Sequence, residues 1–390
     1  MSAALTLDER DELAASARAL LDRESSSSRV RTMIYTADGA DPALTRQMAQ
    51  LGWLGLLVPD SHGGAGAGIA EVVVVAEELG GHLTPGPFLA SAVLATSALV
   101  LAGRDEQQAR WLPGLAAGDA TGTAALTGPS GRLECDLIDV TIRHDGAGLR
   151  LDGVAGFVPD AHLADILVIA ARDDDRVRLV LVERGAVGLT VEPTPTIDRT
   201  RRLATVTLDG ITIASDALLG GDAPGSGPPV PGAIDVIDAL VDRALVVLAA
   251  DAAGAARSVL ALAVEYAKQR VQFGRPIGSF QAVKHTLANM FVRTEAALAA
   301  VEGAAEALDS DPATARRAVA VAASYARDAA VRVAGDAVQV HGGIGFTWEH
   351  DCHLYLKRTT LDAALLGDSA THRERLAALV LADARHGGDA

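Results

Sequence analysis

Cysteine is nearly absent from this chain: Cys135 and Cys352 are the only two among 390 residues. Two thiols exclude a disulfide framework and a thiolate-built metal centre, so no metal site is expected. Positive charge is scarce as well, with 34 Lys and Arg against 50 Asp and Glu and a formal net charge of -16. A surface of that sign repels phosphate backbones and anionic lipid, which argues against nucleic acid or a membrane as the main partner. Long apolar runs are also missing. The strongest, PFLASAVLATSALVLAG at 87–103, is short for a bilayer span and rich in Ala and Ser, so it reads as a buried helix. The N-terminal MSAALTLDERDEL carries acids where a secretion signal carries a basic and then an apolar stretch; a soluble cytoplasmic protein is expected. No HExxH, nucleophile elbow or Walker sequence occurs, which removes the common signatures of zinc proteolysis, serine hydrolysis and P-loop chemistry.

What is present describes a folded, multi-domain chain. Hydrophobic residues make up 49% of the sequence, and its length exceeds one ordinary core, so two or three domains are expected. Residues 1–120 read as an N-terminal helical domain. Thr6 and Glu9 have capping-box spacing before an amphipathic run. Asp41 precedes Pro42 as a cap precedes the first helical residue. IAEVVVVAEEL runs into Gly80-Gly81, a plausible stop. SSSS at 25–28 reads as a loop, and LGLLVPDSHGGAGAG at 54–68 as a flexible connection between helices. Over 121–219 the apolar period shortens to two. LIDVTIRHDGAGLRLDGVAGFV alternates around Asp145-Gly146, and further alternating segments follow without helices between them, predicting a middle antiparallel β-barrel or sandwich. GGDAPGSGPPVPG at 220–232 reads as a linker. Helices near 30 residues long then fill 233–390, as a C-terminal four-helix bundle demands. The fold class is α+β: helices, then strands, then long helices.

Two stretches could carry chemistry. In EYAKQRVQFGRPIGSFQAVKH (265–285), Glu265, Lys268 and Arg270 end a long helix that Gly274 and Pro276 break. Phe273 and Phe280 bracket the turn. Arg270 suits bidentate recognition of phosphate, and equally suits capping the carbonyls of the preceding helix. In QVHGGIGFTWEH (339–350), Gly342, Gly343 and Gly345 permit left-handed turns and close approach of a ligand, although a helix stop explains the same glycines. His341 reads as a satisfied helix-end histidine.

Taken together, YAKQRVQFGRPIGSFQAVKHTLANM and DAVQVHGGIGFTWEHD resemble the acyl-CoA dehydrogenase family of flavoproteins. LGWLGLLVPDSHGGAGAG, AEELG and the helix–strand–helix order extend the resemblance from about residue 45 to 380. It implies a tetramer with FAD across a subunit interface, in which Arg270, Gln272 and Phe273 reach a neighbour's flavin and Gln339, Gly342 and Gly343 contact the dinucleotide. It places the flavin ring against the β domain near Thr127 and Phe157. There AALTGPSG lacks the family's glutamate between Thr127 and Pro129, and GFVPDA carries Phe157 and Pro159 where the family has tryptophan and threonine. The implied reaction is α,β-dehydrogenation of an acyl-CoA thioester, with electrons passed to an electron-transferring flavoprotein. The α-proton is weakly acidic, so the base must be a desolvated carboxylate.

That carboxylate is missing. Most members carry it 27 residues after the glutamine of Q-x-x-G-G; from Gln339 this count reaches Leu366. A minority place it 26 residues before the corner arginine; from Arg270 this reaches Ala244, with Leu245 in place of the arginine that helps hold the thioester end. Asp368 and Asp242 lie two residues away from these positions. A two-residue step on a helix turns a side chain by roughly 200°, which aims Asp242 away from the site. Asp368 follows a glycine and is less constrained, but it also suits an N-cap with His372 and Arg373 solvated. Three readings stand open. One is an active dehydrogenase using an unconventional base such as Asp368. Another is a base-less subunit in an α2β2 heterotetramer with a homologous chain, as in bacterial steroid and side-chain catabolism. The third is a catalytically inactive helical scaffold of the same fold, against which the pairing of Arg270 with Gln339 speaks. The Ala- and Ser-lined helix at 85–103 suggests room for a bulky acyl group.

Overall fold

The computed structural model describes residues 5–145, 148–220 and 232–386. All of the linker at 220–232 except its end residues lies outside them, as does Gly146 of the expected turn. The N-terminal helices are α1 (Leu7–Glu24), α2 (Ser27–Met33), α3 (Pro42–Gln50), α4 (Ile69–Gly81), α5 (Thr96–Ala102) and α6 (Asp105–Ala117). α1 opens with the expected capping box, Thr6 N–H donating to Glu9 at 2.8 Å and Glu9 N–H returning to the Thr6 hydroxyl. Asp41 caps α3 with Pro42 at its first position. Ser27 and Ser28, read as loop, already belong to α2. The 54–68 segment is not loose: Ala65, Gly66 and Ala67 N–H groups bond back to Gly55, Val58 and Leu56 carbonyls. Phe88–Ala95 is wound as a π-helix and wholly buried, which agrees with the buried-helix expectation.

Gly80 lies inside α4 and Gly81 is its last residue, so the helix ends where expected, but not through a left-handed glycine. The turn comes at Leu83, whose φ is 52°. The glycines serve packing instead. A Cβ on Gly80 would overlap the Asp251 carbonyl, and one on Gly254 would overlap the Glu77 carbonyl. Backbone therefore touches backbone where α4 crosses the helix carrying Gly254. The start of α4 is held from far away, Asp309 accepting from Ile69 and Ala70 N–H, each at 2.8 Å.

The middle region contains β1 (Gly122–Ala125), β2 (Thr141–Asp145), β3 (Gly148–Pro159), β4 (Ile166–Asp173), β5 (Arg176–Glu183), β6 (Leu189–Thr194), β7 (Leu203–Ala214) and β8 (Leu218–Leu219). β2 and β3 pair antiparallel with Asp145 opposite Gly148, as the hairpin signal required. The strands neither close into a barrel nor split into two sheets. They form one sheet in the order β6-β7-β3-β2-β4-β5-β8, with β1 also on β4. It is mixed, since β1 and β2 both run parallel to β4. Alternation reports which face a strand buries but not the direction of its neighbour, so the parallel pairs left no mark in the pattern. Alternate residues, among them Leu149 and Leu151, Leu167 and Ile169, Val180 and Val182, Val206 and Leu208, meet in one core cluster.

Beyond the sheet come α7 (Ala233–Gln269), the two-residue strands β9 (Val271–Gln272) and β10 (Arg275–Pro276), α8 (Gln281–Ser310), α9 (Pro312–His341), α10 (Cys352–Ala364) and α11 (Ser369–His386). α8 packs along α9, and α9 supports α10 and α11, giving the expected helical bundle. Two compact units result. One gathers Met33–Gly68 with Pro85–Ala244, and the other gathers Leu5–Thr32, Ile69–Thr84 and the chain from Leu245 onward.

Candidate functional site

In the helical unit, α7 ends and the chain reverses through the β9–β10 hairpin, with Gln272 opposite Arg275. Phe273 and Gly274 form its two-residue tip at φ 50° and 77°. Two-residue hairpins demand positive φ, which glycine accepts freely and a bulky aromatic accepts only under strain. Phe273 is nevertheless 92% exposed, its ring edge-to-face with Phe280 at 6.1 Å between centroids. Arg275 lies over the face of Phe280 at 4.2 Å and stiffens the corner. Arg270 and Gln272 are exposed beside it. Ile277 N–H donates to the Arg270 carbonyl at 2.8 Å, so backbone bonds close this corner and the guanidinium is not consumed in capping it.

α9 ends at His341, and Gly342 turns the chain with φ 65° and ψ −143°. That conformation is open only to glycine. A Cβ on Gly342 or Gly343 would meet nothing within 4 Å, and both are exposed, as is Gln339. Gly343 thus has no internal packing reason to be glycine. Gly345 does, because its Cβ would crowd the Val338 carbonyl at 2.9 Å.

The described non-glycine residues with positive φ are Leu83, Phe157, Asp160, Asp174, Phe273 and Leu366. Three of these six (Phe157, Phe273 and Leu366) occupy positions the sequence had marked for cofactor or base. Backbone strain of about 1–3 kcal/mol per residue persists where surroundings impose it, and it collects at functional sites. In the sheet unit, Phe157 is 40% exposed, and Gly131 is close enough that a Cβ there would meet its ring at 2.7 Å. Thr127 is buried and donates to the Gly156 carbonyl at 2.8 Å. The Pro159 carbonyl accepts from the Thr123 hydroxyl at 2.5 Å. The polar atoms nearest the expected ring site are therefore engaged within the sheet unit.

Leu366 sits at a chain reversal between α10 and α11, with φ 56° and Gly367 following at φ 96°. No ionisable atom stands at that position. The reversal is held by Arg327, a fully buried residue of α9 that sequence reasoning missed. Its Nη1 donates to the Asp362 and Leu365 carbonyls at 2.9 and 2.8 Å, and its Nη2 to Gly367 at 2.8 Å. A signal existed: Arg327 falls on the stripe Ala320, Ala323, Ala330, Ala334, all buried, so helical spacing already placed it inside. Nearby, Arg358 grips Asp251 through Nε and Nη2 at 2.8 and 2.7 Å and lies 3.6 Å from Asp362, a second buried charge network. Asp368 caps α11 by accepting from Thr371 N–H at 2.9 Å and from the Thr371 hydroxyl, which hold its carboxyl below the ordinary range. In the sheet unit, Ala244 is fully buried and Asp242 nearly so.

His372 is not solvated as expected but 2% exposed. Its Nε2–H donates to the Leu366 carbonyl at 3.0 Å, while Nδ1 is buried with no hydrogen-bond partner among the described residues. Burial, then the neighbouring Arg327 charge, lowers its pKa to about 4. His353 is lowered to about 4 by burial and by Lys357 and Arg31. A histidine depressed in the folded state binds its proton first in the unfolded state. Stability is thus full above the ordinary histidine pKa and falls as pH drops from there towards 4. For His372 the loss amounts to about 2 kcal/mol near pH 5. Urea midpoints should fall between neutral pH and about pH 5 in the native protein and less steeply in His372→Gln, which keeps a donor to Leu366. Identical slopes for the two proteins would remove His372 from the account.

Residues 7–119 match the family model for the acyl-CoA dehydrogenase N-terminal domain, and residues 234–381 that for the acyl-CoA dehydrogenase C-terminal domain. The acyl-CoA dehydrogenase IpdE2 of Mycolicibacterium smegmatis is 35% identical over 374 residues, covering 96% of this chain and 99% of its own length. Among solved structures, the ChsE4-ChsE5 complex from Mycobacterium tuberculosis superposes with a TM-score of 0.87 at 29% identity, covering 97% of this chain and 98% of that one. A variant of the Tcur3481-Tcur3483 steroid ACAD gives 0.85 at 30% identity, covering 97% and 99%.

Proposed function

Because this chain belongs to the acyl-CoA dehydrogenase family, we propose that it is the base-less subunit of a heteromeric enzyme, completed by a homologous chain. One observation carries the reading. Leu366, pinned by Arg327 and His372, holds no proton acceptor at the base position, and the adjacent Asp368 is committed to capping α11. Ala244 offers none at the alternative position. The base for the acyl α-proton then comes from the partner chain.

The dinucleotide half of FAD fits the residues present. Arg270 displays an uncommitted guanidinium for a pyrophosphate, and the open turn at Gly342 and Gly343 offers backbone N–H groups with no side chain in the way. Gln272, Gln339 and the strained, exposed Phe273 complete the set presented outward. The ring half fits less well, since Thr127 and Pro159 are engaged internally and the family glutamate is missing. FAD, when bound, accepts the hydride that leaves the acyl β-carbon. The contribution of this chain is to bind and orient. The electrons leave to an electron-transferring flavoprotein, and the assembly is an α2β2 heterotetramer. A structural neighbour named as a steroid ACAD supports a bulky acyl-CoA from lipid or steroid catabolism as substrate. The π-helix at Phe88–Ala95, an element frequent at functional sites, lies in the segment expected to floor the acyl pocket.

The chain purified alone should be colourless and inactive. Co-expressed with a base-bearing homologue, it should yield yellow protein bleached by acyl-CoA. Arg270→Ala in that complex should weaken FAD retention roughly 10- to 100-fold, the worth of a charge-assisted phosphate contact. Yellow protein from the chain alone, bleached by an acyl-CoA, would sink the partner-dependent reading.

A further inference from the structure

We propose that His341, His350 and Cys352 form a binding site for a borderline-soft divalent metal of the zinc class, joining the end of α9 to the start of α10. The expectation of no metal rested on counting thiols, whereas a mixed site needs only one. The potential donor atoms of these three residues all lie within 4.8 Å of one another, and the site is empty. Around a tetrahedral zinc, sulfur and nitrogen ligands stand about 3.5 Å apart, given bonds of about 2.3 and 2.0 Å. Here the Cys352 sulfur is 3.8 Å from His341 Nε2.

The hydrogen bonds select the tautomers such a site requires. His341 Nδ1–H donates to the Ala337 carbonyl at 2.7 Å, so Nε2 carries the lone pair, with the Cys352 sulfur as its neighbour. A histidine whose other nitrogen is held by a carbonyl is the usual outer-shell arrangement of a metal ligand. His350 Nδ1 accepts a long bond, 3.2 Å, from Cys352 N–H, so its lone pair already faces the cysteine end of the cluster and would transfer to the ion. Tyr266 stacks on His341 at 4.4 Å and stands edge-on to His350 at 6.5 Å, forming a wall that orients both rings. The two imidazole centroids are 4.2 Å apart.

Cys352 is the buried first residue of α10, and a metal would displace its thiol proton on binding. The three residues span twelve positions around the glycine turn, so closing the chelate orders little additional chain. Three protein ligands leave a fourth position for water or an exogenous group. The ion would brace the turn that carries Gly342 and Gly343, and this assignment does not depend on flavin binding.

The test uses the full chain, stripped with a chelator and titrated with Co²⁺, read as a difference spectrum against metal-free protein. One equivalent should produce intense four-coordinate ligand-field bands and a sulfur-to-cobalt charge-transfer band, with Zn²⁺ abolishing both. Cys352→Ser should lose the charge-transfer band, and His350→Ala should weaken binding at least tenfold. If Cys352→Ser does not fold, the half-buried His350 decides alone. Absence of the charge-transfer band in native protein, or titrations unchanged in His350→Ala, would overturn the site.

Discussion

Gly254→Ala is expected to destabilise the helical unit by about 3 kcal/mol or more, at the upper end of what overpacking costs. The added methyl would occupy the place of the Glu77 carbonyl, and that carbonyl is helix backbone that cannot rotate aside. Relief requires α4 and α7 to separate along their length. Separation would also loosen Arg257, which reaches from α7 to Glu77 and, at 2.8 Å, to Glu78. The counterpart Gly80→Ala meets the Asp251 carbonyl and should behave alike. Gly303→Ala supplies the contrast. It lies inside α8, exposed, with nothing within 4 Å of its would-be Cβ. There the same substitution should stabilise by about 0.5–1 kcal/mol, the ordinary gain of helix propensity. Thermal midpoints of the three variants, measured side by side, decide the matter. A Gly254→Ala protein as stable as the Gly303→Ala one would mean that the helices do not cross as closely as described.

Arg327→Ala carries the other large effect, on the order of 3–5 kcal/mol. Removing the guanidinium strands the buried carbonyls of Asp362 and Leu365, releases that of the half-buried Gly367, and leaves the buried Asp362 with less compensation. Burial depresses the Arg327 pKa only to about 10, so the group remains charged at neutral pH and its loss is the loss of a cation. Arg327→Lys should recover part of the stability, since an ammonium has three donors but no planar fork to span the reversal. The damage should be local as well as global. Amide hydrogen exchange of residues 366–371 should accelerate in Arg327→Lys before the rest of α11 is affected. Unchanged protection in that segment would show that the left-handed turn at Leu366 stands without its arginine.

What could be read from the sequence follows the reach of each physical signal. Caps at Thr6 and Asp41 were legible because capping is decided within four residues. The strands were legible one at a time, yet their assembly into a single mixed sheet was not, because a period of two does not encode a neighbour's direction. The end of α4 at Gly81 was legible but the packing role of Gly80 was not, because a glycine that ends a helix and one that admits another helix look alike until the partner, here Asp251, is known. His372 was read as surface because the polar residues around it are surface. The family resemblance pointed to Arg270, Phe273, Gly342 and Leu366 as candidate positions, but gave no sign of the left-handed backbone at Phe273 and Leu366. Nor did it reveal that the N-terminal helices divide between two units.

The carboxylate of Asp309 on the first amides of α4 has a consequence for how the protein is made. A helix whose cap lies 240 residues downstream leaves the ribosome with its first amides still turned to water. α1 and α4, with Val72, Val73 and Val75 destined for the interior, are synthesised long before the helices that cover them. At about 5–20 residues per second, the wait from α4 to Asp309 lasts roughly 10–50 seconds. The sheet unit can close during that interval while the helical unit remains open at both ends of the nascent chain. Birth order and folding order are therefore inverted, and the first helices translated are among the last to become secure.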